Sequence, residues 1–478
     1  MLTILLNPKN PEPLYRQICS GIQNEIAAGN LKPQEKLPSR RALAAHLQTS
    51  IMTVQTAYEQ LVAEGYLYTK PRAGYYVDPD AALLFHGETD ELLPDLPASP
   101  PNPGQPADWI DFSTAGVDLD QFPFSTWASL SRQVLTSKQE TLLQATPSMG
   151  LYDLRAAIAD HLRAFRDIHA VPEQILIGAG TEYLLGMLVQ LLGASRRYAA
   201  EEPGYPKGKQ ILRSNGASVV PVPMDADGLD PERLLRSGAS VALVTPSHQF
   251  PTGKVMPLRR RARLLEWTSQ APDRWLIEDD YDTELRFHGK PLPALFSLDR
   301  NAHVIYLNTF ARTLAPSLRI GYVVLPPTLA KRFQKEFSFY SCSVPSFEQY
   351  TLVQFLKKGC LERHLHRMKR TYQERQTLLT QQLRSHPFAT RLTILGEEAG
   401  LHLLLQVDLP CTESTLVHEA ENAHVSVYAL SAYCEIPNQK SERLPCIVMG
   451  YACLSPDEIK AGTKRLLDAW QRLSETLT

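Results

Sequence analysis

Apolar residues recur along the chain with two spacings, and the places where the spacing changes divide it into parts. Near the start, Leu14, Ile18, Ile22 and Ile26 fall four apart and predict one face of a helix, ended by Gly29 and Asn30. Ser39, after Leu37-Pro38, has the chemistry of an N-cap for a second helix with Leu43 and Leu47 inward. Gln48-Thr49 makes a short turn. Ser50 then caps a third helix, with Val54, Ala57, Tyr58 and Leu61 on its inner face and Ile51, Thr53, Gln55 and Thr56 on its outer one. Residues 65–68 and 74–77 follow as a two-stranded ribbon. Beyond residue 111 helical patterns alternate with short apolar runs at 174–177, 219–222, 241–244, 275–278 and 304–307, which predicts an α/β layer with a mainly parallel sheet. From about 392 to 478 a smaller α/β unit is expected. It has an apolar strand at 401–407, and a capping box, Ser455-Pro-Asp-Glu458, opens a helix with Ile459, Leu466, Trp470 and Leu473 inward.

Composition adds boundaries. A chain of 478 residues exceeds one hydrophobic core and predicts two or three domains. Residues 78–110 carry Pro94, Pro97, Pro100, Pro101, Pro103 and Pro106, and only Asp and Glu as formal charges. Such a stretch buries little apolar area. It reads as a tether, with Leu83, Leu84 and Phe85 as one docked turn, between a head at 1–77 and a body at 111–478. Eight basic residues face five acidic ones over 1–77, whereas 73–131 hold no lysine or arginine, although the whole chain nearly balances at 49 basic to 51 acidic. No apolar run is long enough to span a bilayer, and the start lacks a basic-then-apolar signal pattern. The seven cysteines are scattered without a CxxC pair, so neither a disulfide framework nor a metal site is expected, and a cytoplasmic location fits.

Helix, tight turn, helix and ribbon is the plan of a winged helix-turn-helix. The segments Leu37-Pro-Ser-Arg-Arg41, Thr53-Val54, Ala63-Glu-Gly-Tyr66 and Arg72-Ala-Gly-Tyr-Tyr-Val77 resemble the GntR-type DNA-binding domain over nearly its whole length. The resemblance implies a double-stranded DNA operator as partner. It implies phosphate contacts from Ser39, Arg40 and Arg41 at a helix N-terminus, Ser50 and Thr53 in the major groove, and Arg72 with Gly74 in the wing. One residue departs from the pattern. The family usually has an arginine after the serine that opens the reading helix, and here Ile51 stands there, which removes one contact. A surplus of three positive charges (eight less five) suits a dimer on paired half-sites, because one head would bind weakly.

In the body, two apolar runs at 304–307 and 320–325 flank a polar loop. Its Thr309, Phe310, Leu314, Pro316, Leu318, Arg319, Gly321 and Tyr322 are similar to the lysine segment of fold-type I aminotransferases, in the version carried by MocR/GabR-type regulators. Ala311 stands where that pattern has serine, and Arg312 where it has lysine. Other motifs follow in the family's order: Pro147-Ser-Met-Gly-Leu-Tyr-Asp-Leu-Arg155, Ile177-Gly-Ala-Gly-Thr-Glu-Tyr183, Glu202-Pro-Gly-Tyr205, Thr245-Pro-Ser-His-Gln-Phe-Pro-Thr-Gly253 and Ile277-Glu-Asp-Asp-Tyr-Asp282. The resemblance implies a fold-type I large α/β domain, a small C-terminal α/β domain and a pocket for pyridoxal 5′-phosphate (PLP). Ala179, Gly180 and Thr181, with Thr309 and Arg319, would hold the phosphate. Tyr205 would stack on the ring, Asp279 would pair with the protonated pyridine nitrogen, and Tyr281 would hydrogen-bond the 3′ oxygen. Many relatives hold a substrate carboxylate with an arginine in the region matching 429–433, and the nearest match here is Ala432.

The chemistry of Arg312 then decides the class. A lysine that loses its proton forms an imine with PLP, whereas a guanidinium, with a pKa above ~12, stays charged and forms none. It can instead offer a planar fork of donors to a phosphate or carboxylate. These residues therefore read as a ligand-responsive transcription regulator, a head-to-tail homodimer with no catalytic residue. Its aminotransferase-like body would sense PLP, or a PLP- or amino-acid-related effector, without covalent attachment. Two alternatives stay open. One is a working PLP-dependent aminotransferase fused to a DNA-binding domain, with Lys207 or Lys254 supplying the missing amine. The other is a DNA-binding dimer whose body is a ligand-dead scaffold.

Overall fold

The four-residue spacing at the start becomes helix α1 (Leu14–Ala27), with Ile18, Ile22 and Ile26 buried. The computed structural model describes residues 4, 6–7, 11–71, 73–81, 106, 108–114, 116, 118–137, 139–287, 292–397, 400–436 and 444–477. Arg72, and Leu83, Leu84 and Phe85 of the tether, lie outside the described residues. The chain divides into two units around residue 104.

In the first unit α1 packs with α2 (Arg40–His46) and α3 (Ile51–Ala63), followed by strands β1 (Leu67–Lys70) and β2 (Gly74–Val77). Both short helices start on serine. The Ser39 Oγ accepts the Ala42 N–H at 3.2 Å and the Ser50 Oγ accepts the Thr53 N–H at 3.0 Å, each cap stabilising its helix by about 1 kcal/mol. Val54, Ala57, Tyr58 and Leu61 turn inward against Ile18, Ile22 and Leu43. The Tyr58 hydroxyl donates to the Pro38 carbonyl at 2.9 Å, which ties α3 to the loop before α2. β1 and β2 pair antiparallel, Leu67 opposite Val77 and Lys70 opposite Gly74, and Gly74 takes φ +108° as the chain re-enters the ribbon.

The second unit is built on an eight-stranded sheet. Its strands are β3 (Ile175–Gly178), β4 (Arg197–Glu202), β5 (Ser218–Asp225), β6 (Gly228–Leu229), β7 (Val241–Val244), β8 (Trp275–Asp279), β9 (Val304–Thr309) and β10 (Gly321–Val324), in the spatial order β3-β10-β9-β8-β7-β4-β5-β6. The run β9-β8-β7-β4-β5 is parallel. β10 lies antiparallel to both β9 and β3. Two reversals restore direction, so the carboxyl ends of β3, β9, β8, β7 and β4 share one edge. Register fixes that edge: Leu307 lies opposite Asp279, Thr309 opposite Gly321, and Gly321 opposite Gly178.

Helices cover both faces. α4 (Tyr152–Arg166) and α5 (Gly180–Leu192) are amphipathic, and the long α6 (Cys360–Ser385) leads to a smaller sheet. That sheet orders Leu392–Leu395, His402–Val407, Cys446–Gly450 and Tyr428–Ala429. Ile110–Asp111 pairs with Val425–Ser426, so the first residues of the body are stitched to its last part. The capping box forms: the Ser455 N–H donates to Glu458 Oε2 at 2.7 Å and the Glu458 N–H to Ser455 Oγ at 3.3 Å. It opens α7 (Pro456–Leu477), which buries Ile459, Leu466 and Trp470. Among the described residues no helix is long and apolar enough to cross a membrane, the seven cysteines are free, and no group of His, Cys, Asp and Glu is arranged to hold a metal.

Candidate functional site

β8 ends in Glu278 and Asp279, Asp280 follows directly, and the alternation of the extended backbone separates the three acids. Glu278 takes the Leu295 and Phe296 N–H groups at 2.9 Å each. Asp280 meets the Arg166 Nε at 2.9 Å and accepts the Tyr306 hydroxyl at 2.7 Å. Asp279, between them, faces the other way. It is buried, and its Oδ1 has no hydrogen-bond partner among the described residues. Burial first, then the charges of Asp280, Asp282 and Glu201, pushes its carboxyl up to about 7, while Arg312 pulls the other way. Glu201, at the end of β4, is pushed up to about 7 by burial. Its Oε2 accepts the Thr245 hydroxyl at 2.5 Å and its Oε1 has no partner among the described residues. A buried acid with an unpaired oxygen is costly unless a ligand donates to it.

At the far side of the same edge the chain turns from β3 into α5. Gly180 adopts φ +80° there, and a Cβ on it would stand 3.8 Å from the Arg319 guanidinium. The α5 N-terminus and Arg319 make a positively polarised corner. Ala179 lends its N–H to Ser343 Oγ at 2.9 Å and its carbonyl to Arg319 Nη2 at 3.2 Å. Thr181 sits half-buried one residue into the helix. The Thr309 hydroxyl donates to the Ile320 carbonyl at 3.2 Å and accepts the Ala311 N–H at 3.2 Å, closing the base of the loop between β9 and β10. Within the corner Glu182 neutralises both cations: its Oε2 lies 2.7 Å from Arg319 Nη2, and its Oε1 contacts the Lys207 Nζ. Hydrogen bonds from Lys207 and then Arg319 hold the Glu182 carboxyl below its usual range.

Arg312 stands at the Asp279 end of this edge. Its Nη1 donates to the Thr114 carbonyl at 2.7 Å, and its charge acts on Tyr205, Asp279, Tyr281 and His402. Tyr205 is 36% exposed and meets Phe250 edge-on at 6.0 Å between centroids. The Tyr281 hydroxyl lies 3.1 Å from His248 Nδ1, and Asp282 Oδ2 is 2.7 Å from the same nitrogen. His402 packs 5.1 Å from His248 and binds the Pro251 carbonyl at 3.0 Å. Burial and the neighbouring His248 hold its imidazole down to about 3, so it is neutral at pH 7.

The structure thus gathers Ala179, Gly180, Thr181, Thr309 and Arg319 at one end and Asp279, Tyr281, Tyr205 and Arg312 around the other. Of the two spare lysines, Lys207 is paired with Glu182, and Lys254 donates to the Asp225 carbonyl at 3.0 Å from an exposed position. Ala432 is exposed in the turn Leu430–Tyr433. Glu182, Glu201, His248, Asp282 and His402 belong to the same neighbourhood, and sequence reasoning does not single them out. His248 lies inside the motif at 245–253 and Asp282 closes the one at 277–282, so both carry a signal. His402 has none beyond its place in an apolar strand.

In the head, Arg40 and Arg41 are exposed on the first turn of α2, and Arg40 Nη1 donates to Gln55 Oε1 on α3 at 2.7 Å. Ser39 and Ser50 each commit an oxygen lone pair to capping, and Ser50 also bonds Thr53 Oγ1 at 2.8 Å. Ile51 and Met52, 47% and 65% exposed, project from the start of α3. Gly74 lies exposed in the ribbon.

Comparison with known proteins matches both units. Residues 14–77 match the gntR family of bacterial regulatory proteins, and residues 107–444 match aminotransferase class I and II. An uncharacterised HTH-type transcriptional regulator, YdeL of Bacillus subtilis, is 35% identical over 98% of this chain and 99% of its own. The probable rhizopine catabolism regulatory protein MocR of Rhizobium meliloti is 35% identical over 97% and 95%. The pyridoxine biosynthesis transcriptional regulator PdxR of Corynebacterium glutamicum is 35% identical over 90% and 91%. Among solved structures, the multiple substrate aminotransferase of Thermococcus profundus superposes with a TM-score of 0.68 at 22% identity, over 78% of this chain and 93% of that one, a likeness of fold. The α-aminoadipate aminotransferase LysN of Thermus thermophilus, complexed with N-(5′-phosphopyridoxyl)-L-leucine, gives 0.66 at 25% identity, over 77% and 94%.

Proposed function

The chain belongs to the MocR/GabR-type regulators, a GntR-family head fused to an aminotransferase-like body, and from that premise we propose that it is a transcription regulator whose body binds PLP or a closely related molecule without a covalent bond. One observation carries this reading. The pocket keeps a buried acid with an unpaired oxygen, Asp279, and a glycine-cradled anion corner at Gly180 and Arg319, while a guanidinium fills the position where covalent attachment needs an amine. A phosphorylated pyridine suits those donors and acceptors. When bound, PLP supplies an electron-poor ring. In this chain Asp279 would accept the ring N–H, Tyr281 would donate to the ring oxygen, and Tyr205 would cover one face. Ala179, Gly180, Thr181, Thr309 and Arg319 would hold the phosphate once Glu182 turns aside. The name of PdxR supports a vitamin B6-type effector, and the name of MocR supports variation of the effector within the family.

The head would address a double-stranded DNA operator through Ser39, Arg40 and Arg41 on the phosphates and Ser50 and Thr53 in the major groove. Arg72 and Gly74 would lie in the wing. Paired heads of a head-to-tail homodimer would read two half-sites, in the cytoplasm. The test uses full-length protein and operator fragments selected from random DNA. PLP is expected to quench tryptophan fluorescence saturably and to change operator affinity over the same concentration range. Quenching without any change on DNA would favour the ligand-dead scaffold, and conversion of an amino acid to its keto acid would favour the enzyme.

A further inference from the structure

Resting on that reading, we infer that Arg312 sets which vitamin B6-type molecule the pocket accepts: one whose ring carries an anionic or acceptor group at position 4, a carboxylate above all, and not an aminomethyl cation. The placement follows from the sheet. Asp279 ends β8, and the anion corner begins where β3 ends, with β9 and β10 between them. Three strand spacings give about 14 Å, the reach of a pyridine with its phosphate arm and a hydrogen bond at each end. A ligand laid across this edge, ring nitrogen on Asp279 and phosphate on Gly180 and Arg319, passes over the end of β9. Thr309 ends β9, and Arg312 is three residues on in the loop that leaves it. Its charge reaches Asp279, Tyr205 and Tyr281, so its guanidinium would face the ring carbon opposite the nitrogen of a ligand laid this way.

The remaining groups agree. The Thr114 carbonyl takes one N–H of Arg312, and no other hydrogen bond of this guanidinium is made among the described residues, so donors remain for a ligand. Around this spot His402 is neutral and engaged with the Pro251 carbonyl, Tyr281 presents a phenol, and the nearby Asp282 is paired with His248. The Asp279 carboxylate and the Arg312 guanidinium thus form a receptor with opposite charges at its two poles. A pyridinium 4-carboxylate is its mirror image, with N–H⁺ on the acid and COO⁻ on the guanidinium fork. An aldehyde presents a neutral acceptor. An aminomethyl group, protonated near neutral pH, places like charges together.

Full-length protein is titrated at pH 7.5, by calorimetry and tryptophan fluorescence, with three pyridine 5′-phosphates that differ only at position 4: carboxylate, aldehyde and aminomethyl. The expected order is carboxylate, then aldehyde, then aminomethyl, with the outer pair separated by about tenfold or more. Arg312→Gln is expected to bring the three within about threefold of one another, with its circular dichroism retained. Equal binding of all three, or aminomethyl binding tightest, overturns the inference and leaves the proposed effector class intact. Failure of all three to bind overturns the effector class itself.

Discussion

Asp279 is held up to about 7 by burial and its acidic neighbours. A carboxyl whose folded value lies above its unfolded one, near ~4, takes up a proton on folding, so its contribution to stability falls as pH rises between the two values. Asp279→Asn removes that dependence. The melting temperature of the variant relative to the parent is expected to climb from pH 5 to about pH 7 and then level off. A difference that is flat or falls over that range would show that Asp279 is already satisfied. At this scale the sequence is informative about residue type and order: Asp279, Tyr281, Arg319 and the Arg312 replacement all sit in readable motifs. It is uninformative about pairing. Nothing in the residues around Glu182 says that its carboxylate lies between Lys207 and Arg319, because that arrangement joins three separate segments.

Between residues and domains, α2 and α3 act as one unit, since Arg40 on the first donates to Gln55 on the second and Tyr58 anchors to Pro38. Replacing Arg40 and Arg41 by alanine is expected to weaken binding to every DNA sequence alike. The slope of log affinity against log salt should fall by about one for each phosphate that is no longer neutralised. A weakening confined to one operator would place these arginines on bases instead. The head's helices were legible because each has a capping serine or a four-residue apolar stripe. Most of the body's strands were legible as apolar runs, but β4, whose sequence is Arg-Tyr-Ala-Ala-Glu-Glu, was not, and neither was the strand order. β10 runs antiparallel between β3 and β9, and periodicity records which face of a strand is buried, not which strand lies beside it. The pairing of Ile110–Asp111 with Val425–Ser426, far apart in the chain, was invisible for the same reason.

For the molecule as a whole, a head with a surplus of three positive charges is expected to bind a single half-site weakly. Full-length protein is expected to sediment as a dimer and to bind two spaced half-sites far more tightly than one. Equal affinity for one and two would contradict a paired reading. Whether the body is a receptor and not a catalyst is tested most directly by one absorbance experiment. PLP is mixed with the wild-type protein and with the double variant Arg312→Lys, Ala311→Ser, and each is treated with borohydride and weighed by mass spectrometry. Wild type is expected to show no imine absorption and no added mass, while the double variant gains both at position 312. A reduced PLP adduct on Lys207 or Lys254 of the wild-type protein would contradict the account.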